Sequence, residues 1–441
     1  MYKLRFKQKV NQWSIMNSMN LVPDQEKKLG FRIPLEFYYL NLQTLLHLKL
    51  NLPGKKMELS TQNINISHDM VSQKRFINFD LLRVAAMFGI VVLHCFTHGL
   101  YNHFDISSGG TMGLSMTSCN FMMSEIVYEI CHIAVNCYVM ITGYFMITKS
   151  FKLSRLAVLW VEVLFYAVSL YAVLCWMGFQ TFQVKELINA IFPITSMEYW
   201  FMTNYMGLLI LAPVLNVFVH HVSQSKYLLT LIGLGTISLT LFVKFPLSDA
   251  FGGGYGFLWF IFLYLVAGYV RLYAKTTNRY GRKAIVAAVI TFTYPAWMHI
   301  FIPLFHGTNM SPFGFSYNGF LFFFSLYVFL WVRGLTIKEN GLTRCLVKIA
   351  PYTLAVYLIS DNAMVRKILW QKMFVWQGML DDSLFMLKML ASCLIIFTIC
   401  IGIDWCRKKI FELVGINRTV RLISEKIESV IKRVVVSFAS S

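Results

Sequence analysis

The sequence predicts an all-α polytopic membrane bundle of about ten transmembrane helices, with both termini in the cytoplasm. Three observations predict this fold class. Of the 441 residues, 57% are hydrophobic and only 14% are charged, and the mean hydropathy of +0.58 is higher than a soluble domain tolerates. Apolar runs long enough to cross a bilayer recur along the chain. Finally, the basic residues are distributed unevenly between the loops that join these runs.

Ten apolar segments, each of roughly 17–25 residues, are the predicted spans. The loops after the even-numbered spans carry thirteen Lys and Arg residues, whereas the other five loops carry five. Because positive charge stays on the cytoplasmic side, this bias predicts two cytoplasmic termini. The ninth segment contains Asp361, Asn362, Arg366 and Lys367, so a shorter span that stops near Ser360 is the alternative there. In chain order the segments cover approximately residues 80–99, 122–147, 155–177, 199–219, 227–243, 255–272, 284–304, 316–333, 346–370 and 384–405.

Two basic segments flank the predicted membrane domain, which covers residues 77–408. Residues 1–76 are only locally apolar, so we expect either a cytoplasmic extension or, if translation starts at Met57 or Met70, a start-site artefact. Residues 409–441 form a basic amphipathic tail with apolar residues at helical spacing. This pattern favours an interfacial helix on anionic lipid, with a short dimerising coiled coil as the alternative.

The charge and the cysteines exclude two other classes of protein. The net charge is +19, but the Lys and Arg residues lie in tails and short loops, so we expect no binding of nucleic acid. The nine cysteines show no C-x-x-C spacing, and most fall within or beside apolar spans. We interpret them as buried hydrophobic residues without disulfides or zinc.

Arg83 and His94 lie in the apolar stretch of the first span, eleven residues apart. A helix brings residues at this spacing to within roughly 20° of one face and about 16 Å apart along the axis. A charged residue inside a span costs about 2.5–3.5 kcal/mol, so the pair predicts a cavity or polar partners. His94 is the candidate general base and Arg83 a candidate phosphate contact. The alternatives are a buried structural histidine and a snorkelling arginine.

A second group of polar residues follows in the next span. Glu125, Glu129 and His132 share one helix face at i, i+4 and i+7, and either carboxylate is a candidate to orient the imidazole of His94. Alternatively, both glutamates are solvated in the outer headgroup region. The set His94, His98 and His132 suggests zinc, but no acidic or cysteine partner completes it, so we expect no metal.

Other candidates line the predicted cavity or need partners. Trp200, Asn204, Tyr205 and Tyr357 are candidate cavity residues, although aromatic and polar residues at helical spacing also serve packing. The acids Glu162 and Asp404 lie inside spans and require partners that the sequence does not name. The GGGYG run at 252–256 follows no strand, so we interpret it as a flexible outer loop rather than a nucleotide-binding turn.

Five segments occur in an order that resembles the acyltransferase-3 family of multi-pass membrane acyltransferases. The similarity covers about residues 77–405, and the ordered set is more specific than any one motif. Three positions depart from the family pattern: Thr142 replaces Ser, Lys152 replaces Arg, and Ser360 stands where many members have His. The segments are FDLLRVAAMFGIVVLH with its R-x10-H spacing, VNCYVMITGYF (135–145), KLSR (152–155), YWFMTNYMGLLILAPVLN (199–216) and APYTLAVYLIS (350–360).

The resemblance implies transfer of an acyl group, most simply acetyl, from acyl-CoA to a hydroxyl of a cell-surface sugar or glycolipid, in a bacterial plasma membrane. It implies that His94 is the base, and that Arg83, Lys152 and Arg155 hold the donor. We expect direct transfer, with a covalent acyl-histidine as the alternative mechanism.

Two rival functions remain at this stage. A transporter or flippase of lipid-linked saccharides would use a buried Arg and His for passage or proton coupling. It predicts internal repeats, yet no second copy of the first-span motif is evident. The other rival is an inactive sensor or scaffold. Ser360, which stands where many members of the family have histidine, slightly favours it.

Overall fold

The computed structural model describes residues 76–100, 119–239, 256–277, 279–301, 319–376 and 379–440. Within these ranges all regular structure is helical. The α-helices, numbered in chain order, are α1 Ile77–His94, α2 Cys119–Cys131, α3 Ile133–Met146, α4 Leu153–Trp176, α5 Val184–Ile191, α6 Trp200–His221, α7 Gln224–Ser238, α8 Phe257–Tyr273, α9 Tyr280–Phe301, α10 Gly319–Gly334, α11 Gly341–Ile349, α12 Thr353–Ser360, α13 Ala363–Ile368, α14 Phe385–Val414 and α15 Ile416–Ser440. Short turns extend three of them: π-helical Cys95–Leu100 after α1, 3-10 Ala350–Tyr352 after α11, and π-helical Leu369–Met373 after α13.

Six helical stretches of the described chain are long and apolar enough to cross a membrane. They are Ile77–Leu100, Ile126–Met146, Leu153–Trp176, Trp200–His221, Gly341–Ser360 and Phe385–Val414. Two shorter apolar helices, α8 and α10, lie on the sixth and eighth predicted spans. The all-α membrane fold is therefore confirmed. The count of ten spans and the cytoplasmic termini stay predictions, although a helix overlies each of the ten segments.

The ninth predicted span, 346–370, is broken in the structure. α12 ends at Ser360, and Asn362 begins the next helix because its side-chain oxygen accepts hydrogen bonds from the backbone N–H groups of Met364 and Val365. The amide of Asn362 also donates to Glu198 Oε1 at 3.3 Å. The shorter alternative, a span that stops near Ser360, is the one that the structure shows.

α1 is the central helix of the described bundle. It packs against α2, α3, α10, α11, α12 and α14, and most of its side chains from Phe79 onward are buried. Because α1 packs against six other helices, a larger share of it is buried than of any other candidate span in the described chain. Two of the polar residues of α1, Arg83 and His94, line cavities of the protein.

Close backbone contact and polar bridges hold α3 to its neighbours. A Cβ atom at Gly143 would lie 2.6 Å from the carbonyl oxygen of Tyr264, so α3 and α8 touch through their backbones. The indole N–H of Trp259 donates to Asn136 Oδ1 at 3.0 Å, and Asn136 Nδ2 donates to Ser325 Oγ at 3.0 Å. Small residues and interhelical hydrogen bonds take this role in membranes, where lipid is as apolar as the side chains.

Residues 72–430 form one compact unit. Residues 431–440, the last turns of α15, belong to a second unit. The predicted N-terminal extension up to residue 75 lies outside the described residues, as does the predicted outer loop apart from Gly256.

Candidate active site

The two R-x10-H residues of α1 line different cavities. Arg83 and His94 share one helix face, about 16 Å apart along the axis. Arg83 lines a cavity of about 340 Å³, which we call the arginine cavity. His94 lines a cavity of about 220 Å³, which we call the histidine cavity. One face of α1 thus serves two sites.

The arginine cavity brings together all three residues that were predicted to hold the donor. Arg83 comes from α1, Lys152 is the last extended residue before α4, and Arg155 lies in the first turn of α4. Thr142 of α3 also lines this cavity, where its hydroxyl lies 3.0 Å from the hydroxyl of Tyr205. The remaining lining residues are Ile141, Phe145, Met146, Phe151, Leu156, Leu159 and Leu209.

Positive charge is in excess in the arginine cavity. Arg83 Nη1 lies 3.3 Å from Asp80 Oδ1. In the described part of the chain no carboxylate forms an ion pair with Lys152 or Arg155. A cavity that combines spare guanidinium and ammonium groups with apolar walls suits an anionic phosphate attached to a longer molecule.

The histidine cavity collects the predicted residues His94, His132, Trp200 and Tyr357. His132 is buried at the junction of α2 and α3, and its Nδ1 lies 2.9 Å from the carbonyl oxygen of Tyr128. These residues come from distant parts of the chain, and the fold brings them to one cavity. The other lining residues are Met87, Ile90, Leu93, Thr97, His98, Val135, Phe201, Asp361 and Arg366.

A carboxylate contacts the candidate base. Asp361 Oδ1 lies 3.6 Å from His94 Nε2 and 3.2 Å from Arg366 Nη1, and the Asp361 side chain is only 3% exposed. The other ring nitrogen of His94, Nδ1, is buried and has no hydrogen-bond partner among the described residues. The imidazole therefore has one nitrogen beside a carboxylate and the other nitrogen unengaged.

Sequence reasoning did not place Asp361 and Arg366 in the site. From the sequence, both residues were considered only as charges that make the ninth predicted span less apolar. The available signal was that Asp361 directly follows the buried APYTLAVYLIS segment, where a carboxylate requires a partner. The identity of the partner of Asp361 depends on the break at Asn362. There the chain turns, and Asp361 is left beside His94.

Aromatic rings separate the two cavities. Phe201 and Tyr205 lie one turn apart on α6, and their rings stack with centroids 5.5 Å apart. Phe201 lines the histidine cavity, whereas Tyr205 lines the arginine cavity. The ring of Tyr357 lies 5.5 Å from that of Phe201 and 6.2 Å from the imidazole of His94. An aromatic wall on α6 therefore stands between the basic residues and the histidine.

Two predicted residues with described side chains are not part of either cavity lining. Glu129 of α2 and Asn204 of α6 are half-buried and contact other groups, but they line neither cavity. Glu125 lies in α2, and its side chain is outside the described part of the structure. The carboxylate that the structure places beside His94 is thus Asp361 rather than Glu129.

The histidines of the cavity do not assemble a recognisable metal centre. The rings of His94 and His98 lie 5.9 Å apart. Across the described ranges, no group of three or more His, Cys, Asp or Glu residues is arranged to hold a metal ion.

The departures from the family pattern have different structural consequences. Thr142 retains a hydroxyl in the arginine cavity, and Lys152 retains a positive charge there. Ser360 is fully buried and lines neither cavity, and its hydroxyl has no hydrogen-bond partner among the described residues. Ser360 therefore precedes Asp361 in the chain but lies outside the lining of both cavities.

Comparison with known proteins shows the family of the chain. A family model described as an acyltransferase domain, that of the acyltransferase-3 family, matches residues 76–405. No curated protein and no solved structure matches the chain. The matched range includes both cavities, from Arg83 on α1 to Arg366 on α13. The chain belongs to the acyltransferase-3 family of membrane acyltransferases.

Proposed function

We propose that this membrane acyltransferase moves an acyl group, most simply acetyl, from cytoplasmic acyl-CoA to a hydroxyl of a sugar or glycolipid destined for the cell surface. The observation that carries the proposal is the pairing of a phosphate-compatible cavity with a histidine–carboxylate cavity along one face of α1. The expected location is the plasma membrane of a bacterium. The partners are lipid, the donor and the acceptor.

The donor binds with its phosphates in the arginine cavity. Arg83, Lys152 and Arg155 supply the positive charge, and the guanidinium groups offer paired N–H donors that match phosphate oxygens. CoA carries its thioester at the end of a long flexible arm. Its phosphates and its reacting carbon are therefore far apart, as the arginine cavity and His94 are. The arm would pass the aromatic wall formed by Phe201 and Tyr205.

The acceptor hydroxyl reacts in the histidine cavity. His94 takes the hydroxyl proton through Nδ1, the nitrogen without a partner, while the new C–O bond forms at the thioester carbon. Asp361, beside Nε2, stabilises the imidazolium that results. As the C–S bond breaks, the proton passes from His94 to the sulfur and CoA leaves as a thiol.

Tyr357 is the proposed donor to the developing oxyanion. Its hydroxyl is buried without a hydrogen-bond partner in the described part of the chain, and its ring lies in the same cavity as His94. A preorganised O–H group in a site that excludes water stabilises a tetrahedral intermediate more than it would in solution. Arg366 then restrains Asp361 through its 3.2 Å contact and keeps that carboxylate in place.

The test is acyl transfer by the purified protein in proteoliposomes. Acetyl-CoA labelled in its acetyl group is supplied with a panel of saccharides, and both free CoA and the acetylated saccharide are measured. We expect one CoA released for each ester formed, with the saccharide gaining the mass of one acetyl group. A transporter would move the saccharide between compartments without releasing CoA. Release of no CoA with any acceptor would contradict the proposal.

A further inference from the structure

An exposed apolar face runs along the first half of α15. Ile423, Ile427 and Val430 are separated by four and three residues, so they lie on one side of the helix, and each is about half exposed. A different side faces the protein. Ser424 is buried, and a carboxylate oxygen of Glu428 accepts a hydrogen bond from the backbone N–H of Leu153 at 3.3 Å. One side of α15 is therefore packed against the protein, whereas the side that carries the three apolar residues is exposed.

The contact with Leu153 places α15 at the level of a membrane surface. Leu153 is the first residue of α4, which has 24 residues and therefore a length of about 36 Å, just over the ~30 Å thickness of the hydrocarbon core. Lys152 precedes it, as a basic residue commonly does where a span begins. A helix in contact with that residue lies at the boundary between lipid and water.

The turn before α15 allows it to leave the direction of the preceding span. α14 ends at Val414, and Gly415 has φ +74°, a left-handed conformation that ends a helix and that residues with a Cβ rarely adopt. α15 then begins at the next residue, Ile416. A membrane-crossing helix thus passes into a second helix without any linker that would carry it away from the bilayer.

We propose that residues 416–430 of α15 dock on the surface of a bilayer that contains anionic lipid, with Ile423, Ile427 and Val430 inserted among the acyl chains. Of the exposed basic residues, Lys426 flanks the apolar side, where it meets lipid phosphates, whereas Arg418 and Arg421 lie on the remaining exposed surface and add to the positive charge that attracts an anionic bilayer. This inference does not depend on the proposed reaction.

A coiled coil between two copies is the competing occupant of the same face. The apolar residues also fit two to three heptads, but a coiled coil is usually supported by opposite charges at the positions that flank its seam. With Ile427 at position a and Val430 at position d, the flanking residues are Ser424 and Ile431 on one side and Lys426 and Arg433 on the other. No opposite-charge pair arises, so the pattern favours anionic lipid.

Spin-label accessibility in proteoliposomes tests the docking. The exposed cysteines Cys119, Cys345 and Cys406 are replaced by Ser in the full chain. Single cysteines are then introduced as Ile423→Cys, Ile427→Cys and Val430→Cys, with Glu425→Cys and Ser429→Cys as matched positions on the opposite side. In vesicles that contain phosphatidylglycerol we expect the first three labels to be reached by oxygen and shielded from a water-soluble nickel complex, and the last two to show the reverse.

Two further conditions test whether lipid or a second copy of the helix covers the apolar side of α15. The shielding should weaken in vesicles of phosphatidylcholine alone, and it should be lost in phosphatidylglycerol vesicles when Arg418, Arg421 and Lys426 are all changed to Gln. Equal nickel access at all five positions would overturn the proposal. Strong spin–spin broadening for Ile427→Cys would also overturn it, because that result would show two copies of the helix in contact.

Discussion

Replacing Arg407 with Met should destabilise the membrane domain far more than a typical surface change. Arg407 lies on α14, where its Nε is 2.5 Å from Asp404 Oδ1 and its Nη2 is 3.1 Å from Glu162 Oε1 on α4. The hydroxyl of Tyr166 donates to Asp404 Oδ1 at 2.7 Å. These are the partners that Glu162 and Asp404 were expected to need inside their spans.

The size of the effect follows from burial. Asp404 is 0% exposed, and Arg407 is 7% exposed. Removing the cation leaves two carboxylates in an apolar bundle, which costs about 3–5 kcal/mol for a buried pair. The control is Lys409→Met on the same helix, because its pair with Glu412 is also i, i+3 but is more than half exposed on both sides. Such a surface pair contributes about 0–1 kcal/mol.

The free energy of unfolding of each variant is measured by denaturant titration in detergent micelles. A second variant removes all three charges together, as Glu162→Gln, Asp404→Asn and Arg407→Met, and should recover much of the loss because no unpaired charge remains buried. A loss for Arg407→Met no larger than that for Lys409→Met would refute the reasoning that the cluster links α4 to α14 through buried charge.

Three other expectations are open to direct measurement. Arg83→Ala should raise the KM for acetyl-CoA at least tenfold and Arg83→Lys much less, because lysine keeps the charge and loses only the paired N–H donors; equal, unimpaired kinetics in both would remove Arg83 from the donor site. Gly143→Leu should lower the thermal stability by separating α3 from α8, since even a Cβ would meet the backbone of Tyr264 at 2.6 Å; an unchanged melting temperature would mean that the contact is not tight. Reporter fusions at position 278 should signal from the cytoplasm and those at 309 from outside, and an external signal at 278 would contradict the predicted topology.

Local patterns in the sequence predicted much of the fold and part of the site. Apolar runs identified the membrane helices, because a helix in lipid must be apolar over most of its length. The spacing of Arg83 and His94 placed them on one face, since helical geometry is independent of the rest of the fold. Lys152 and Arg155 joined Arg83 through the family resemblance, and the structure brings the three into one cavity.

Features that depend on tertiary contacts could not be predicted in the same way. Asp361 contacts His94 only because Asn362 starts a new helix and the chain turns there. The sequence favoured a carboxylate on the second span, because i, i+4 spacing is visible in one segment while contacts between α1 and the end of α12 are not. The partner of Asp404 could not be predicted either, although Arg407 is only three residues away. The two residues need each other because both are buried, and that burial arises from packing against α4.

The measurement that tests the central claim most directly is the rate of acetyl transfer by His94→Ala in proteoliposomes. His220→Ala is the matched control, because His220 is an exposed histidine at the cytoplasmic end predicted for α6 and lines neither cavity. The account predicts that His94→Ala lowers kcat by at least a hundredfold, the lower end of what a general base contributes, at normal expression and membrane insertion, while His220→Ala keeps the wild-type rate. Transfer by His94→Ala at a rate close to that of His220→Ala would contradict the assignment of His94 as the base.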